Sequence, residues 1–147
     1  MSAVKVEIRR LDLELPLPKH QHQDDAGCDL YAGRDAVIAA NGGRELISTG
    51  IAIAVPPGYA ALVLPRSGLA HKHGITCLNA PGLIDSQYRG EIKVLLLNTD
   101  PYADYAVSRG DRIAQLLVTP VAEMEWVEVE DLSETARGES GFGSTGR

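Results

Sequence analysis

At 147 residues, 44% hydrophobic and 23% charged, the chain is the size of one ordinary domain and has enough apolar content to bury a core. Its 14 Lys and Arg against 20 Asp and Glu leave a net charge of −6, which argues against the basic footprint of a nucleic-acid binder. No apolar run approaches the ~20 residues of a membrane span, and the first ten residues lack the apolar stretch of a secretory signal. A cytoplasmic protein with neither a membrane nor a nucleic-acid partner is expected.

In chain order, Val4, Val6 and Ile8 alternate with Lys5, Glu7 and Arg9, the pattern of a half-buried strand that Pro16 and Pro18 end. Ala36–Ile38 predicts a strand closed by the turn Asn41-Gly42-Gly43. Ile51, Ile53 and Val55 predict another, stopped by Pro56-Pro57-Gly58, and Tyr59–Leu64 a third. Residues 68–73 predict one or two helical turns, with Ser67 as the candidate cap and Gly74 as the stop. The continuous apolar run Ile92–Leu97 predicts a strand buried on both faces, and Ile113–Val118 a further strand. Met124 and Trp126 take one parity while Val127 and Val129 take the other, which predicts a bulge or an end of pairing near Trp126. Short strands with frequent Gly and Pro turns indicate an all-β jelly roll, barrel or sandwich carrying one short helix. Residues 1–130 form the expected β domain, and residues 131–147, rich in Gly, Ser, Thr and Arg, an expected flexible tail.

Charge is unevenly placed. Residues 65–93 hold four cations (Arg66, Lys72, Arg89, Lys93) against Asp85 and Glu91, a local +2 that leaves −8 for the rest. A locally basic stretch in an acidic chain suits a small anion better than a polymer. Cys28 and Cys77 lack metal-site spacing, and a disulfide is not expected in a cytoplasmic chain. His71 and His73 have no third ligand nearby and read as surface residues.

Five segments carry candidate chemistry. Asp29, in Asp25-Ala26-Gly27-Cys28-Asp29-Leu30, either holds water on Mg²⁺ or belongs to a simple turn. In Pro65-Arg66-Ser67-Gly68, Ser67 is a helix cap or a phosphate donor, and Arg66 an anion fork or a surface charge. Between Asn79 and Ile92, Asp85 follows two apolar residues and so is expected to be partly sheltered. There it could serve as a general base, while Asn79 could read a base edge and Tyr88 could pack on a sugar. The bland alternative is a structural hairpin. Gln115, flanked by apolar residues, is expected to line a site, and it need not lie near Arg66 in one chain. The tail combines Arg137, Phe142, Gly143, Ser144 and Thr145 with further glycines. It is either a mobile end or a ligand-closing segment whose backbone N–H groups face phosphate.

Together these segments resemble the five ordered motifs of the trimeric dUTP diphosphatase (dUTPase) family. They are Ala26-Gly27-Cys28-Asp29-Leu30, Pro65-Arg66-Ser67-Gly68, the stretch from Gly82 to Glu91, Arg109-Gly110-Asp111-Arg112-Ile113-Ala114-Gln115, and the stretch from Arg137 to Gly146. The resemblance runs from about residue 4 to the end. Ser140 stands where the family usually has Gly, and Cys28 fills a variable position.

The resemblance implies a jelly-roll-like β fold and a homotrimer whose active sites are shared between subunits. It implies hydrolysis of dUTP to dUMP and diphosphate with Mg²⁺. On these positions, Asp85 resembles the base that activates the water attacking the α-phosphate. The hairpin from Asn79 to Lys93, including Leu83 and Ile84, resembles the uracil reader, and Tyr88 the residue under deoxyribose. Arg66, Ser67, Gly68 and Gln115 resemble the phosphate set, and Asp29 an outer-sphere Mg²⁺ ligand. Arg137, Phe142, Gly143, Ser144 and Thr145 resemble the closing tail, with Phe142 over uracil. Two rivals are a dCTP deaminase of the same fold and a non-catalytic nucleotide-binding module. The deaminase pattern places a catalytic Glu on the strand after the Asp turn, where Leu95 stands.

Overall fold

β-branched residues dominate the apolar positions, and they suit a pleated surface better than a helix. In the computed structural model, which describes residues 3–146, they build ten strands and one helix. The elements are β1 Glu7–Arg10, β2 Cys28–Tyr31, β3 Ala36–Ile38, β4 Arg44–Ala54, β5 Tyr59–Leu64, α1 Ser67–His73, β6 Ile75–Cys77, β7 Gly82–Ile84, β8 Glu91–Asn98, β9 Tyr105–Val107 and β10 Arg112–Pro120. One sheet has the order β1-β4-β8-β6, a second β2-β10-β5-β7, and β3 pairs with β9. Every pairing is antiparallel. This is the expected jelly-roll-like architecture. The outermost residues of two expected segments, Met1–Ser2 and Arg147, lie outside the described residues.

One core fills the space between the sheets. Ile47, Ile51 and Ile53 of β4 and Ile92, Val94 and Leu96 of β8 meet Leu30 of β2, Val63 of β5 and Ile113 of β10, all buried. Each such side chain contributes about 1.5–3 kcal/mol by leaving water. Asn98, fully buried, is satisfied on both ends. Its Nδ2 donates to the carbonyls of Ile38 (3.0 Å) and Ala103 (2.9 Å), and its Oδ1 accepts from the Asp100 N–H (2.9 Å).

A bulge shapes β4. Its register against β8 shifts between Ser48 and Ala52, and Gly50 there takes φ +72°. A Cβ on Gly50 would lie 2.7 Å from the Asp12 Cβ, so glycine is required both by conformation and by space. The bulge is tied to the start of β8: the Thr49 hydroxyl donates to the Ile92 carbonyl at 2.6 Å, and the Gly50 N–H to Glu91 at 3.2 Å.

Several expected elements are corrected. β8 is not buried on both faces: Ile92, Val94 and Leu96 are buried, Lys93 is exposed, and Leu95 and Leu97 are half-buried. Only one of its faces looks into the core. β1 begins at Glu7, and Val4 and Ile8 are exposed, because their face borders an open apolar cavity with Ile51, Ile53, Leu116 and Val118. Ser67 is not the cap of α1. Arg66 occupies that position with extended backbone and no side-chain cap bond, leaving the Ser67 hydroxyl for other partners. Gly74 does end the helix, at φ +65°, donating to Ala70 and Leu69. Residues 124–129 form no strand, since pairing needs a neighbouring strand and none in this chain is offered to them. The last element ends at Pro120, and residues 121–140 are exposed throughout.

Candidate active site

Outside the tail, the candidate residues fall into two cavities. The first, of about 330 Å³, lies between the β7–β8 hairpin and β5, and Asn79, Leu83, Ile84, Asp85, Tyr88 and Lys93 line it. The β5–β7 ladder sets Gly82 opposite Val63 and Ile84 opposite Ala61. A Cβ on Gly82 would stand 3.2 Å from the Val63 Cβ and 3.4 Å from the Asn79 Nδ2, so the bare glycine lets the Asn79 amide sit against the strand. After β7 the chain turns back, with the Tyr88 N–H donating to the Asp85 carbonyl (3.1 Å) and Arg89 latching the turn through the Ser86 carbonyl (2.7 Å). The Tyr88 hydroxyl donates to the Glu91 carbonyl at 2.9 Å, which folds the ring onto Gly90. Asp85 follows the buried Ile84 but is itself exposed, contrary to the sheltered position expected for it. The pleat of β7 ends at Ile84, and the carboxylate stands on the lip of the cavity.

The second cavity, of about 310 Å³, gathers Asp29, Arg66, Ser67, Gly68 and Gln115. Arg66 and Gln115 are therefore neighbours within one chain, which corrects the expectation that they need not be. The reason is register. β10 lies between β2 and β5, pairing Gln115 with Asp29 on one side and with Leu64 on the other. Gln115 Nε2 reaches the Pro65 carbonyl at 3.5 Å. Gly27 keeps β2 close, since a Cβ there would stand 3.3 Å from the Leu116 carbonyl oxygen.

Asp29 is buried in this wall, with 8% of its surface exposed. Its Oδ1 lies 3.6 Å from Arg66 Nε and its Oδ2 3.4 Å from Arg112 Nη1. Arg66 Nη1 in turn donates to the Arg112 carbonyl at 2.9 Å. Arg112, and with it Gln21 and His22, lines the cavity without having been singled out from sequence. Strict strand alternation sets Arg112 and Gln115 on opposite faces. A register shift between Arg112 and Ala114 reverses that parity, and no residue pattern announces it.

The remaining candidates behave differently. Arg137, Phe142, Gly143, Ser144 and Thr145 line neither cavity. Phe142 is fully exposed at φ +50°, and Arg137 Nε donates to the Ser140 carbonyl at 3.0 Å. Arg109, within the fourth motif, ties loops together instead, through ion pairs to Asp12 and Glu14 (3.2 Å) and a bond to the Gly33 carbonyl (2.8 Å). Its hydrogen bonds hold the Asp12 carboxyl below the usual range. His73 packs its ring on Tyr105, centroids 5.0 Å apart. Cys28 and Cys77 are free thiols. Burial, and for Cys28 also the neighbouring Asp29 charge, pushes both pKa values up, that of Cys77 to about 11.

The chain is an all-β, jelly-roll-like protein with one cavity faced by an amide, a carboxylate and a ring, and another faced by guanidiniums and a hydroxyl. The dUTPase family model matches residues 14–146, and the chain belongs to that family. A deoxyuridine 5'-triphosphate nucleotidohydrolase of Thermobifida fusca is 59% identical over 145 residues, covering 99% of this chain and 80% of that protein. One of Corynebacterium glutamicum is 56% identical over 142 residues, covering 97% and 95%. Among solved structures, the Staphylococcus bacteriophage 80alpha dUTPase with dUPNHPP superimposes with a TM-score of 0.87 at 26% identity, covering 97% of this chain and 99% of the other.

Proposed function

We infer that this chain hydrolyses dUTP to dUMP and diphosphate. The observation that carries this is the grouping of the motif residues. Asn79, Asp85 and Tyr88 share one cavity of nucleoside size, while Arg66, Ser67 and Gln115 share another suited to phosphates. Asn79 and the hairpin backbone read the uracil edge, Tyr88 packs against deoxyribose, and Lys93 lies at the same wall. Asp85 holds a water and takes its proton as the water oxygen bonds to the α-phosphorus. The bond from that phosphorus to the α,β-bridging oxygen breaks, and diphosphate leaves. Gly68 supports the phosphate reading. A Cβ there would meet nothing within 4 Å and its φ is not left-handed, so the chain itself does not demand glycine. Space kept at that position suits a ligand approaching the backbone.

Mg²⁺ belongs to the proposal. Among the described residues no three His, Cys, Asp or Glu side chains cluster as a metal cage. Both Asp29 oxygens already face guanidiniums, which fits an ion held mainly by substrate oxygens and water, with Asp29 reaching it through water. When bound, the ion neutralises triphosphate charge.

The active form is a homotrimer. The two cavities have no lining residue in common, and the tail touches neither, which supports sites assembled from more than one chain. Exposed Val121, Met124, Trp126, Val127, Val129 and Leu132 form an apolar segment that a partner surface would cover. Residues 1–130 are the β domain and residues 131–147 the tail that closes over a neighbouring site. Among the described residues no helix is long and apolar enough to cross a membrane, and a cytoplasmic location is part of the proposal. The test is incubation with dUTP and Mg²⁺, measuring diphosphate, followed by dCTP, measuring ammonia. Diphosphate from dUTP with no ammonia from dCTP is expected, and the reverse pattern would replace this function with deamination.

A further inference from the structure

A hairpin fixes its side chains through its ladders, and the β7–β8 hairpin has a gap in them. β7 pairs with β5 as far as Ile84 opposite Ala61, and β8 begins its pairing with β4 at Glu91 opposite Ala52. Among the described residues, 85–90 have no ladder partner, yet Asp85 and Tyr88 both lie in that stretch. Unpaired backbone has conformers to lose, and a base misplaced by about an ångström forfeits much of its rate. Side-chain bonds take the place of the ladder. Arg89 Nη1 donates to the Ser86 carbonyl at 2.7 Å and to the Tyr88 carbonyl at 3.0 Å. One nitrogen thus ties down the residue next to Asp85 and Tyr88 itself, across the turn closed by the Tyr88 N–H on the Asp85 carbonyl. Arg89 does this without lining the nucleoside cavity. It lines a separate cavity of about 310 Å³, with Glu7, Arg9, Ala52 and Ala54.

We propose that Arg89 is a positioning residue for the hydrolysis, holding the turn over residues 85–90 so that Asp85 and Tyr88 face the nucleoside cavity together. It touches no reacting atom and acts through the two carbonyls. The inference rests on reading Asp85 as the base and Tyr88 as the wall beside the sugar. Both bonds come from a single nitrogen, so the turn does not use the two-pronged face of the guanidinium. A compact cation with several hydrogens can make the same pair of bonds. That separates this latch from an arginine that grips an anion, where the fork itself matters.

The test compares three variants of the full chain with the wild type. Arg89→Met keeps the reach and removes the donors, Arg89→Lys offers one ammonium, and Arg9→Met removes a cation from the same cavity without touching the turn. Arg89→Met is expected to lower kcat for dUTP about tenfold or more, because Asp85 is no longer set. It should also lower the ratio of kcat/KM for dUTP over UTP about threefold, because Tyr88 is held less firmly. Its melting temperature should stay within a few degrees of wild type, since the side chain is exposed. Arg89→Lys should recover at least half of the lost kcat on a logarithmic scale, and Arg9→Met should match the wild type. Amide hydrogen exchange gives a readout independent of turnover. In Arg89→Met the Tyr88 N–H should exchange about tenfold faster, with Val94 and Leu96 of β8 unchanged. Arg89→Gln, too short to reach the carbonyls, should behave as Arg89→Met and keeps the test open if the methionine variant fails to fold. Wild-type kcat in Arg89→Met or Arg89→Gln would overturn the proposal and leave the proposed activity standing. An equal loss in Arg9→Met would overturn it in favour of the charge of this face, and Arg89→Lys no better than Arg89→Met would overturn the single-nitrogen latch. A wild type inert on dUTP, with faster Tyr88 exchange in Arg89→Met, would overturn the proposed activity and leave the latch standing.

Discussion

Asp85 stands exposed one position past the buried Ile84, on the lip of a cavity it shares with Asn79 and Tyr88. A carboxylate there can accept a proton from water while its neighbours bind the nucleoside. Asp85→Asn keeps the shape and removes the basic oxygen, so turnover should fall about 10²–10⁴-fold. Affinity for an imido analogue of dUTP, measured by calorimetry, should stay within about threefold. Near-wild-type turnover in the purified variant would end the assignment of Asp85. The cavity around it was legible in sequence because Asn79–Lys93 is one contiguous stretch that folds back on itself. Arg112 was not, because its place beside Gln115 depends on a break in the pleat that period-two reasoning cannot see. The exposure of Asp85 has a related cause: two apolar neighbours shelter a residue only while the strand continues, and β7 ends at Ile84.

The hairpin from β7 to β8 shows how an element imposes a side-chain position. Gly90 lies directly beneath the Tyr88 hydroxyl, which is tied to the Glu91 carbonyl. A methyl at position 90 cannot coexist with that placement, so Gly90→Ala must move the ring. Because the crowded atom is the end of a side chain, stability should change little, with a melting temperature within a few degrees of wild type. The sugar wall should nevertheless be lost. The ratio of kcat/KM for dUTP over UTP is expected to drop about tenfold or more, and an unchanged ratio would show that Tyr88 does not police the 2′ position. Other elements separate what local pattern can predict from what it cannot. Tyr59–Leu64 and Ala36–Ile38 emerged as strands with their expected limits, bounded by Pro, Gly and Asn turn residues. The apolar run of β8 predicts burial on both faces, yet Lys93 and the half-buried Leu95 and Leu97 face outward. Which face of a strand meets a second sheet is decided by partners distant in sequence.

At the scale of the whole molecule, apolar surface stands open at the cavity beside Val4, Val6 and Ile8 and along the segment from Val121 to Leu132, where Trp126 is 87% exposed. A stable soluble chain does not keep such surface in water if copies of itself can cover it. The proposed trimer should therefore scatter light as three chains at working concentration, and a monomer mass would contradict it. The tail past Asp131 sets a different condition. Residues 132–140 are exposed, and Phe142, the one aromatic ring beyond Trp126, touches no core. Ordering so glycine-rich a segment costs roughly 1–2 kcal/mol per residue, a cost that contacts with bound nucleotide would offset in the proposed closure. Closure over a neighbouring site would exclude water from the phosphates and strengthen the charge interactions there. Truncation after Asp131 is thus expected to lower kcat/KM for dUTP by at least about a hundredfold. It should leave the oligomer mass intact and the melting temperature within a few degrees, because no core contact is removed. Phe142→Ala should give a milder loss, surrendering the stacking and keeping Arg137, Ser144 and Thr145. Hydrolysis by the truncated protein at the full chain's rate would make residues 132–147 a free end with no part in catalysis.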